Sequence, residues 1–305
     1  ACGRERRVVR GPLALAQAED VRARLAVAHG LDPVAIEICV IRTSGDVIQD
    51  RPLAEVGGKG LFTKEIEQAL FERKVDLAVH SAKDMETVLP AGLVAPAFLR
   101  REDVRDAFIS RKAATLADLP AGAVIGTASL RRQAIVRRLR GDLRVISLRG
   151  NVQTRLRKLD AGEVDATLLA LAGLKRLGLT AVATSIFSVD EFLPAVGQGA
   201  IAIETRADDA RTRELVAPIN DAETMTAITA ERAFLAALDG SCRTPIAGHA
   251  RIAADGMLTL RGLIVTPDGG TAHETNRSGP ANEAAALGAD AGAELKRRAG
   301  PNFFG

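Results

Sequence analysis

Four residues able to do chemistry sit close together: His80, Ser81, Lys83 and Asp84, at the polar end of the stretch VDLAVHSAKDME. A carboxylate beside an ammonium favours its ionised form, because the neighbouring charge stabilises it. Such an anion can steady a cation that forms during a reaction, and it does so more strongly in a water-poor cleft. The same four residues also fit a solvated loop with a local charge pair. What decides between these readings is what the rest of the chain aims at the same place.

The second group is cationic. Between Arg131 and Lys158 there are nine Arg and one Lys against a single acid, Asp142. The cations that matter recur at strand–helix junctions: Arg131 and Arg132 after Gly126-Thr127-Ala128-Ser129, Arg149 and Arg155 around Gly150-Asn151, and Lys175 and Arg176 after a third apolar run. One such junction is a solvated helix face; three in register point to a ligand with several carboxylates or phosphates. The planar guanidinium binds such groups through two parallel hydrogen bonds. Thr127 and Ser129 add hydroxyls, and a helix start adds unpaired N–H groups. Arg137, Arg138 and Arg140 read as ordinary surface charge. A third candidate is Cys242, in the turn Gly240-Ser241-Cys242-Arg243-Thr244-Pro245. Arg243 favours its thiolate, and a reactive and an inert thiol both fit.

Positioning these residues takes three units. In the first, Leu15, Ala18, Val21, Leu25 and Ala28 at three- and four-residue spacing predict a helix that Gly30 stops. A β-branched strand is expected over 36–41, with Cys39 a buried small hydrophobe. From 42 to 60 the pattern dissolves among Gly45, Pro52, Gly57, Gly58 and Gly60. A loop that long is a lid, a binding loop or a passive surface loop. Its GGKG lacks the spacing and the following Ser/Thr of a nucleotide-phosphate loop. A helix over 62–73 precedes a short buried strand over 75–79, of the kind found in parallel sheets, whose carboxyl end carries the first four candidates. Another strand is expected over 93–99, before the charged crossing Arg100-Arg101-Glu102-Asp103.

In the second unit, about 105–199, strands over 124–125, 143–148 and 166–170 alternate with helices over 130–139, over 152–159 and through 177. This rhythm implies a parallel sheet with ligands at the carboxyl ends of its strands. Pro194, Gly197, Gln198 and Gly199 mark a tight segment near a hinge or a ligand, and a strand over 200–203 returns towards the first unit. The third unit, from about 217, opens on a helix marked by Met225, Ile228, Leu235 and Leu238. Strands over 250–253, 257–266 and 271–275 follow, joined by the hairpin signals Asp255-Gly256 and Asp268-Gly269. An Ala-rich helix over 281–299 completes an α+β unit with an antiparallel sheet.

Composition narrows the function classes. The 305 residues suffice for two or three domains, and 47% hydrophobic with 26% charged residues describes a soluble globular protein. No apolar run is long enough to span a membrane. The stretch ACGRERRVVR is charged with no apolar segment behind it, unlike a secretory signal. Three widely spaced cysteines argue against a disulfide framework, for a reducing, cytoplasmic setting, and against a zinc site. Nucleic acid would explain the arginines through phosphate contacts, but no aromatic residue lies between Phe108 and Phe187 to stack on bases. A non-catalytic binder of a polycarboxylate would share the cleft, yet would not need a cysteine displayed in a third unit.

The chain resembles the porphobilinogen deaminase (hydroxymethylbilane synthase) family. The segments that carry the likeness are PLALAQA, GGKGLFTKEIE, VHSAKD, GTASLRRQ, SLRGNVQTRL, LAGLKRLG, LPAVGQGA and LDGSCRTPI, in that order along nearly the whole chain. The resemblance implies an enzyme that condenses four porphobilinogen molecules head to tail, with loss of ammonia, into a linear tetrapyrrole on the way to haem. It implies a dipyrromethane cofactor held as a thioether on Cys242, and Asp84 as the catalytic acid. Lys83, Ser81, Thr127, Ser129, Arg131, Arg132 and Gln198 match residues at the cofactor. Arg10, Arg149, Arg155 and Arg176 match residues at the substrate, and Lys59 and Phe62 match the lid and its inner edge. It further implies two α/β domains shaped like periplasmic binding proteins around a cleft, over 1–99 with 200–216 and over 100–199. A smaller α+β domain over 217–305 carries the cysteine. A monomer without metal, nucleic acid or membrane partner is the family expectation. The chain departs from the family at Val9-Arg10-Gly11-Pro12, where relatives read Thr-Arg-x-Ser-Pro, so the Ser contact has no match. Glu86 stands where Pro is frequent.

Overall fold

The computed structural model describes residues 11–41, 63–241 and 244–304. In chain order the elements are α1 (Pro12–His29), α2 (Lys64–Phe71), β1 (Leu77–Ser81), β2 (Leu93–Phe98), β3 (Asp106–Ser110), β4 (Val124–Gly126), α3 (Leu130–Leu139), β5 (Arg144–Ile146), α4 (Val152–Asp160), β6 (Ala166–Ala170), α5 (Leu171–Arg176) and β7 (Ser185–Ile186). They continue with β8 (Ile201–Arg206), α6 (Ala210–Val216), α7 (Ala222–Ala237), β9 (Ile246–Ile252), β10 (Met257–Val265), β11 (Ala272–Pro280) and α8 (Ala284–Ala299). The result is a mixed α/β fold with three sheets, ordered β1-β8-β2, β5-β4-β6-β3-β7 and β11-β10-β9.

In the first sheet β8 is the middle strand, arriving after the second unit and running antiparallel to both neighbours. The expected parallel strand over 75–79 is therefore an antiparallel one, two residues further on, with Leu77 opposite Thr205 and Ser81 opposite Ile201. It extends into polar sequence because each polar side chain finds a partner: His80 Nε2 lies 3.0 Å from Glu204 Oε2, and Gln17 Nε2 donates to Ser81 Oγ at 2.9 Å. One face of this sheet packs on Val21 and Leu25 of α1, the other on Leu70 of α2. The strand expected over 36–41 has no ladder partner among the described residues and runs without regular structure. Ile36 and Ile38 turn inward while Glu37 and Cys39 turn out, so Cys39 is exposed rather than buried.

The second sheet is mixed. β4 pairs parallel with β5 and β6 as the rhythm predicts, but β3 and β7 join antiparallel on the far side of β6. Neither of these strands is evident in the alternation, because β3 follows the charged crossing with no helix before it. The carboxyl ends of β4, β5 and β6 share one edge, and α3 and α4 start there on capped N-termini. Ser129 Oγ accepts from the N–H of Arg132, and Asn151 Oδ1 from that of Thr154 at 2.8 Å.

The third sheet is an antiparallel meander. Gly256 and Gly269, in its two hairpins, have φ of +80° and +82°, the left-handed geometry that the Asp-Gly signals predict. Leu258, Leu260 and Ile264 pack against Phe234 of α7 and Leu295 of α8. Leu263 and Val265 instead join Ile135 and Phe192 of the second unit. Gly248 and Gly262, paired across β9 and β10, leave room for the Phe234 ring, which a Cβ on Gly262 would meet at 2.6 Å.

Candidate active site

Asp84 ends a single 3₁₀ turn, Ala82–Asp84, that follows β1 directly. The turn is braced from the hinge segment: Ala82 N–H donates to Ala200 O at 3.0 Å. Gly197, at φ +74°, passes so close that a Cβ there would stand 2.9 Å from Lys83 N. Asp84 is exposed, whereas the Lys83 ammonium lies deep among protein atoms although its residue keeps some surface. Burial, reinforced by Arg132 and Arg131, brings Lys83 down to about 8, against the pull of Asp84 and Asp106.

Across from Asp84, both guanidiniums of the first basic junction are buried and converge on one carboxylate. Arg131 Nη2 donates to Asp106 Oδ2 at 2.7 Å; Arg132 donates to Asp106 Oδ1 from Nε at 3.0 Å and from Nη2 at 2.6 Å. Backbone carbonyls of Leu193 and Leu168 take one further donor from each. Arg131 also stacks over the Phe192 ring, 5.5 Å from its centroid. Burial penalises the Asp106 carboxylate, but the two guanidiniums outweigh that and hold its carboxyl at about 2. Gln198 fits the same knot, donating from Nε2 to Val104 O at 2.7 Å and to Asp106 Oδ1 at 3.1 Å.

Arg155 and Arg149 come from the second junction. Arg155 Nε donates to Gly150 O at 2.9 Å. Burial is the main cause that lowers Arg155 to about 10, with the charges of Arg132 and Arg149 acting the same way and Asp84 opposing. Lys83, Arg131, Arg132, Arg149 and Arg155 thus form one electrostatic cluster with Asp84 and Asp106, five cations and two carboxylates among the described residues. Arg131 Nε is buried with no partner among the described residues. A cluster with this excess of charge and an unmet donor fits an anionic, multi-carboxylate group. Thr127 is fully buried; its Oγ1 accepts from Ser129 N–H at 3.3 Å and orients the turn that presents Ser129.

The third junction faces elsewhere. Lys175 Nζ donates to Glu102 Oε1 at 2.8 Å, and Arg176 Nη2 to Gly199 O at 2.7 Å. The charges felt by Arg176 are those of Glu102, Asp20 and Arg24. It binds the Gly199 carbonyl, apart from the knot around Asp106. Arg10, Lys59, Phe62 and Cys242 lie outside the described residues, as does the whole of the loop expected over 42–60. A cavity of about 970 Å³ between α1, β1 and residues 35–41 reaches Gln17, Ser81 and Asp84. None of the clustered cations lines it, so it meets the cluster only at Asp84.

Three residues that sequence reasoning passes over complete the arrangement. Asp106 anchors the arginines, Gln17 orients Ser81, and Glu231 is a fully buried carboxylate that ties the hinge together. Glu231 accepts from Arg101 at 2.6 and 3.0 Å, from Gly197 N–H at 2.7 Å and from Ala250 N–H at 2.7 Å. An arginine-rich run implies a buried anion somewhere, but nothing local says that it stands 25 residues upstream of Arg131.

The chain is similar to known proteins along nearly its whole length. Two family models match: porphobilinogen deaminase, dipyromethane cofactor binding domain, over residues 9–214, and porphobilinogen deaminase, C-terminal domain, over residues 225–297. A porphobilinogen deaminase of Nitrobacter hamburgensis is 65% identical over 292 residues, covering 96% of this chain and 92% of that protein. One from Nitrobacter winogradskyi is 64% identical over 293 residues, with the same coverage of 96% and 92%. Among solved structures, the methionine-binding protein MetQ has a TM-score of 0.43 at 14% identity, covering 70% of this chain and 87% of its own. Immunogenic lipoprotein A from Vibrio vulnificus has a TM-score of 0.43 at 14% identity, covering 71% and 95%.

Proposed function

We propose that the cationic cleft around Asp84 carries out the reaction of the porphobilinogen deaminase family, to which this chain belongs. The chain is a transferase of tetrapyrrole and haem biosynthesis: it joins four porphobilinogen molecules head to tail, releasing ammonia, into hydroxymethylbilane, and its cofactor is dipyrromethane. The observation that carries the site reading is that Lys83 and Arg155 lie in the field of Asp84, with Arg131 and Arg132 on Asp106 beside Lys83 and Arg149 beside Arg155.

Each pyrrole unit bears two carboxylates, so a growing chain needs a surface with more cations than the protein itself neutralises. Arg131, Arg132, Lys83, Ser81, Thr127, Ser129 and Gln198 hold or shape the site of the cofactor, with Cys242 as its thioether attachment. When bound, dipyrromethane supplies the primer to which substrate units are added. Arg149 and Arg155 hold the incoming carboxylates, with Arg10, Arg176, Lys59 and Phe62 at the margins. Loss of ammonia leaves porphobilinogen as a cation. Asp84, exposed at the end of its turn, stabilises that charge, accepts the pyrrole N–H and helps to move the protons that substitution releases. The charges of Lys83 and Arg155 act on Asp84 from nearby.

The three sheets support a division into domains over 1–99 with 200–216, over 100–199, and over 217–305. No helix among the described residues is long and apolar enough to cross a membrane. A cytoplasmic monomer that acts on porphobilinogen without nucleic acid or membrane partner completes the reading. The direct test is Asp84→Asn, which removes the charge with little change of shape. Turnover is expected to fall by about a hundredfold or more, the usual worth of a positioned acid–base group, in protein that melts as the wild type does; near-normal turnover would sink the assignment.

A further inference from the structure

The backbone that follows Asp84 runs irregularly from Met85 to Pro90, so its carbonyls have no strand or helix to satisfy them. Two of them are met from α7. Met225, Ile228 and Arg232 lie on one face of that helix, at spacings of three and four. Met225 and Ile228 pack with Met85 and Leu89. Arg232 Nη2 donates to the carbonyls of both Glu86 and Thr87, each at 2.8 Å. Burial pulls the Arg232 pKa down while Glu204 opposes that; a half-buried guanidinium at this place is accounted for by the two carbonyls it serves.

The same segment reaches the third unit by a second bond. Thr87 Oγ1 donates to the carbonyl of Gly240 at 2.7 Å, across 153 positions of sequence. Gly240 is itself fixed. Its N–H donates to Leu235 O at 2.9 Å, and a Cβ there would stand 2.5 Å from Ile246 and 2.6 Å from Leu235. The flanks of the turn are closed on each other as well. Ser241 N–H donates to Thr244 Oγ1 at 3.0 Å, and Thr244 Oγ1 donates back to Ser241 O at 2.8 Å. Cys242 lies between these flanks in the sequence.

We infer that Thr87 and Arg232 are positioning residues that set the register between Asp84 and the turn bearing Cys242. The inference rests on the reading of Asp84 as the catalytic carboxylate and Cys242 as the attachment point. A tethered acceptor gains rate from being held in reacting geometry, and a misplacement of about 1 Å can cost about a hundredfold. Asp84 follows β1 of the first sheet and Gly240 precedes β9 of the third, and the two are distant in sequence. The clamp from α7 and Thr87 joins the segment just after Asp84 to Gly240, two positions before Cys242 in the sequence. Thr87 and Arg232 touch neither the reacting atoms nor the cationic cluster; they act through the backbone of residues 86–87 and 240.

The test compares cofactor-loaded wild type, Thr87→Val, Thr87→Ser and Arg232→Lys, with loading established by intact mass before kinetics. Thr87→Val keeps the branched shape and removes the donor. The expected result is a kcat lower by about tenfold, between the worth of one hydrogen bond and that of a 1 Å displacement. KM for porphobilinogen stays within about twofold, and Thr87→Ser recovers most of the loss. Arg232→Lys, which keeps the charge but not the planar fork, lowers kcat in the same direction. Wild-type kcat in loaded Thr87→Val overturns the inference. So does a loss confined to KM, or a Thr87→Ser protein no better than the Val variant. Wild-type protein with no pyrrole mass on Cys242 overturns the attachment reading instead, and is seen before any variant is compared.

Discussion

The cationic cleft and the third unit solve opposite problems. Around Asp106 the protein buries two guanidiniums on a single carboxylate, and Arg131 Nε has no partner among the described residues. Charge taken out of water in this way is costly, and one counter-ion for two cations does not balance it. In the third unit the contacts are apolar and close. Gly288 and Gly292 let α8 lie against α7 so tightly that a Cβ at Gly288 would stand 2.1 Å from Ala230 O. Phe234 covers the paired glycines of β9 and β10. Stability is concentrated where the chain needs a rigid platform for the cysteine turn. Among the described residues, the excess of buried positive charge is concentrated around Asp106 and Lys83, where the proposed site would meet an anionic substrate. The two regions share α7, which offers Glu231 to the hinge and Phe234 to the platform.

The contrast can be broken at either end. Asp106→Asn leaves Arg131 and Arg132 buried without an anion, and should cost about 3–5 kcal/mol in a denaturant titration. It should also flatten the acid limb of stability. The Asp106 carboxyl is held at about 2 against an ordinary 3.8, so its contribution is complete above about 4 and is lost as pH falls towards 2. Gly288→Val should cost about 1–3 kcal/mol through overpacking against α7, with kcat per folded molecule unchanged. If Gly288→Val instead lowers kcat at constant stability, the platform is not merely a platform.

Smaller effects sharpen the picture. Ser129→Ala removes the cap of α3 and should cost about 1 kcal/mol, together with weaker substrate binding if its hydroxyl also faces the ligand. Lys83 separates binding from stability. Its pKa is near 8 in the folded protein and 10.5 unfolded. Between these values the unfolded chain holds the proton more often, so the stability contribution of Lys83 rises with pH over that window. The cleft loses a positive charge over the same window, so KM for porphobilinogen should rise. A Lys83→Met protein should show neither trend, and a KM that stays flat from pH 7 to 10 in the wild type would remove Lys83 from the binding surface.

The readable parts of the site are those whose causes are local. Ser129 and Asn151 announce helix starts by their residue type, and the caps are where that pattern puts them. The Asp-Gly hairpins and the shared edge of β4, β5 and β6 follow from sequence within a few residues. What stays hidden depends on partners far along the chain. His80 and Ser81 read as the polar end of a strand, yet both lie inside it, because Glu204 and Gln17 wait 124 and 64 positions away. The direction of β1 turns on β8, which returns only after the whole second unit. Alternation of strands and helices could not show β3 and β7, since no helix separates β3 from the crossing before it. Lys175 and Arg176 share the spacing of the other basic junctions, but Glu102 and the Gly199 carbonyl, both remote in sequence, draw them to the hinge.

The most direct measurement is the intact mass of the purified protein, with peptide mapping of Cys242, before and after incubation with porphobilinogen. A cleft with more cations than anions, primed from that cysteine, requires the mass of two linked pyrrole units on Cys242 and on no other residue. A Cys242 that remains unmodified after incubation contradicts the account, and leaves a binder of polycarboxylates as the reading to pursue.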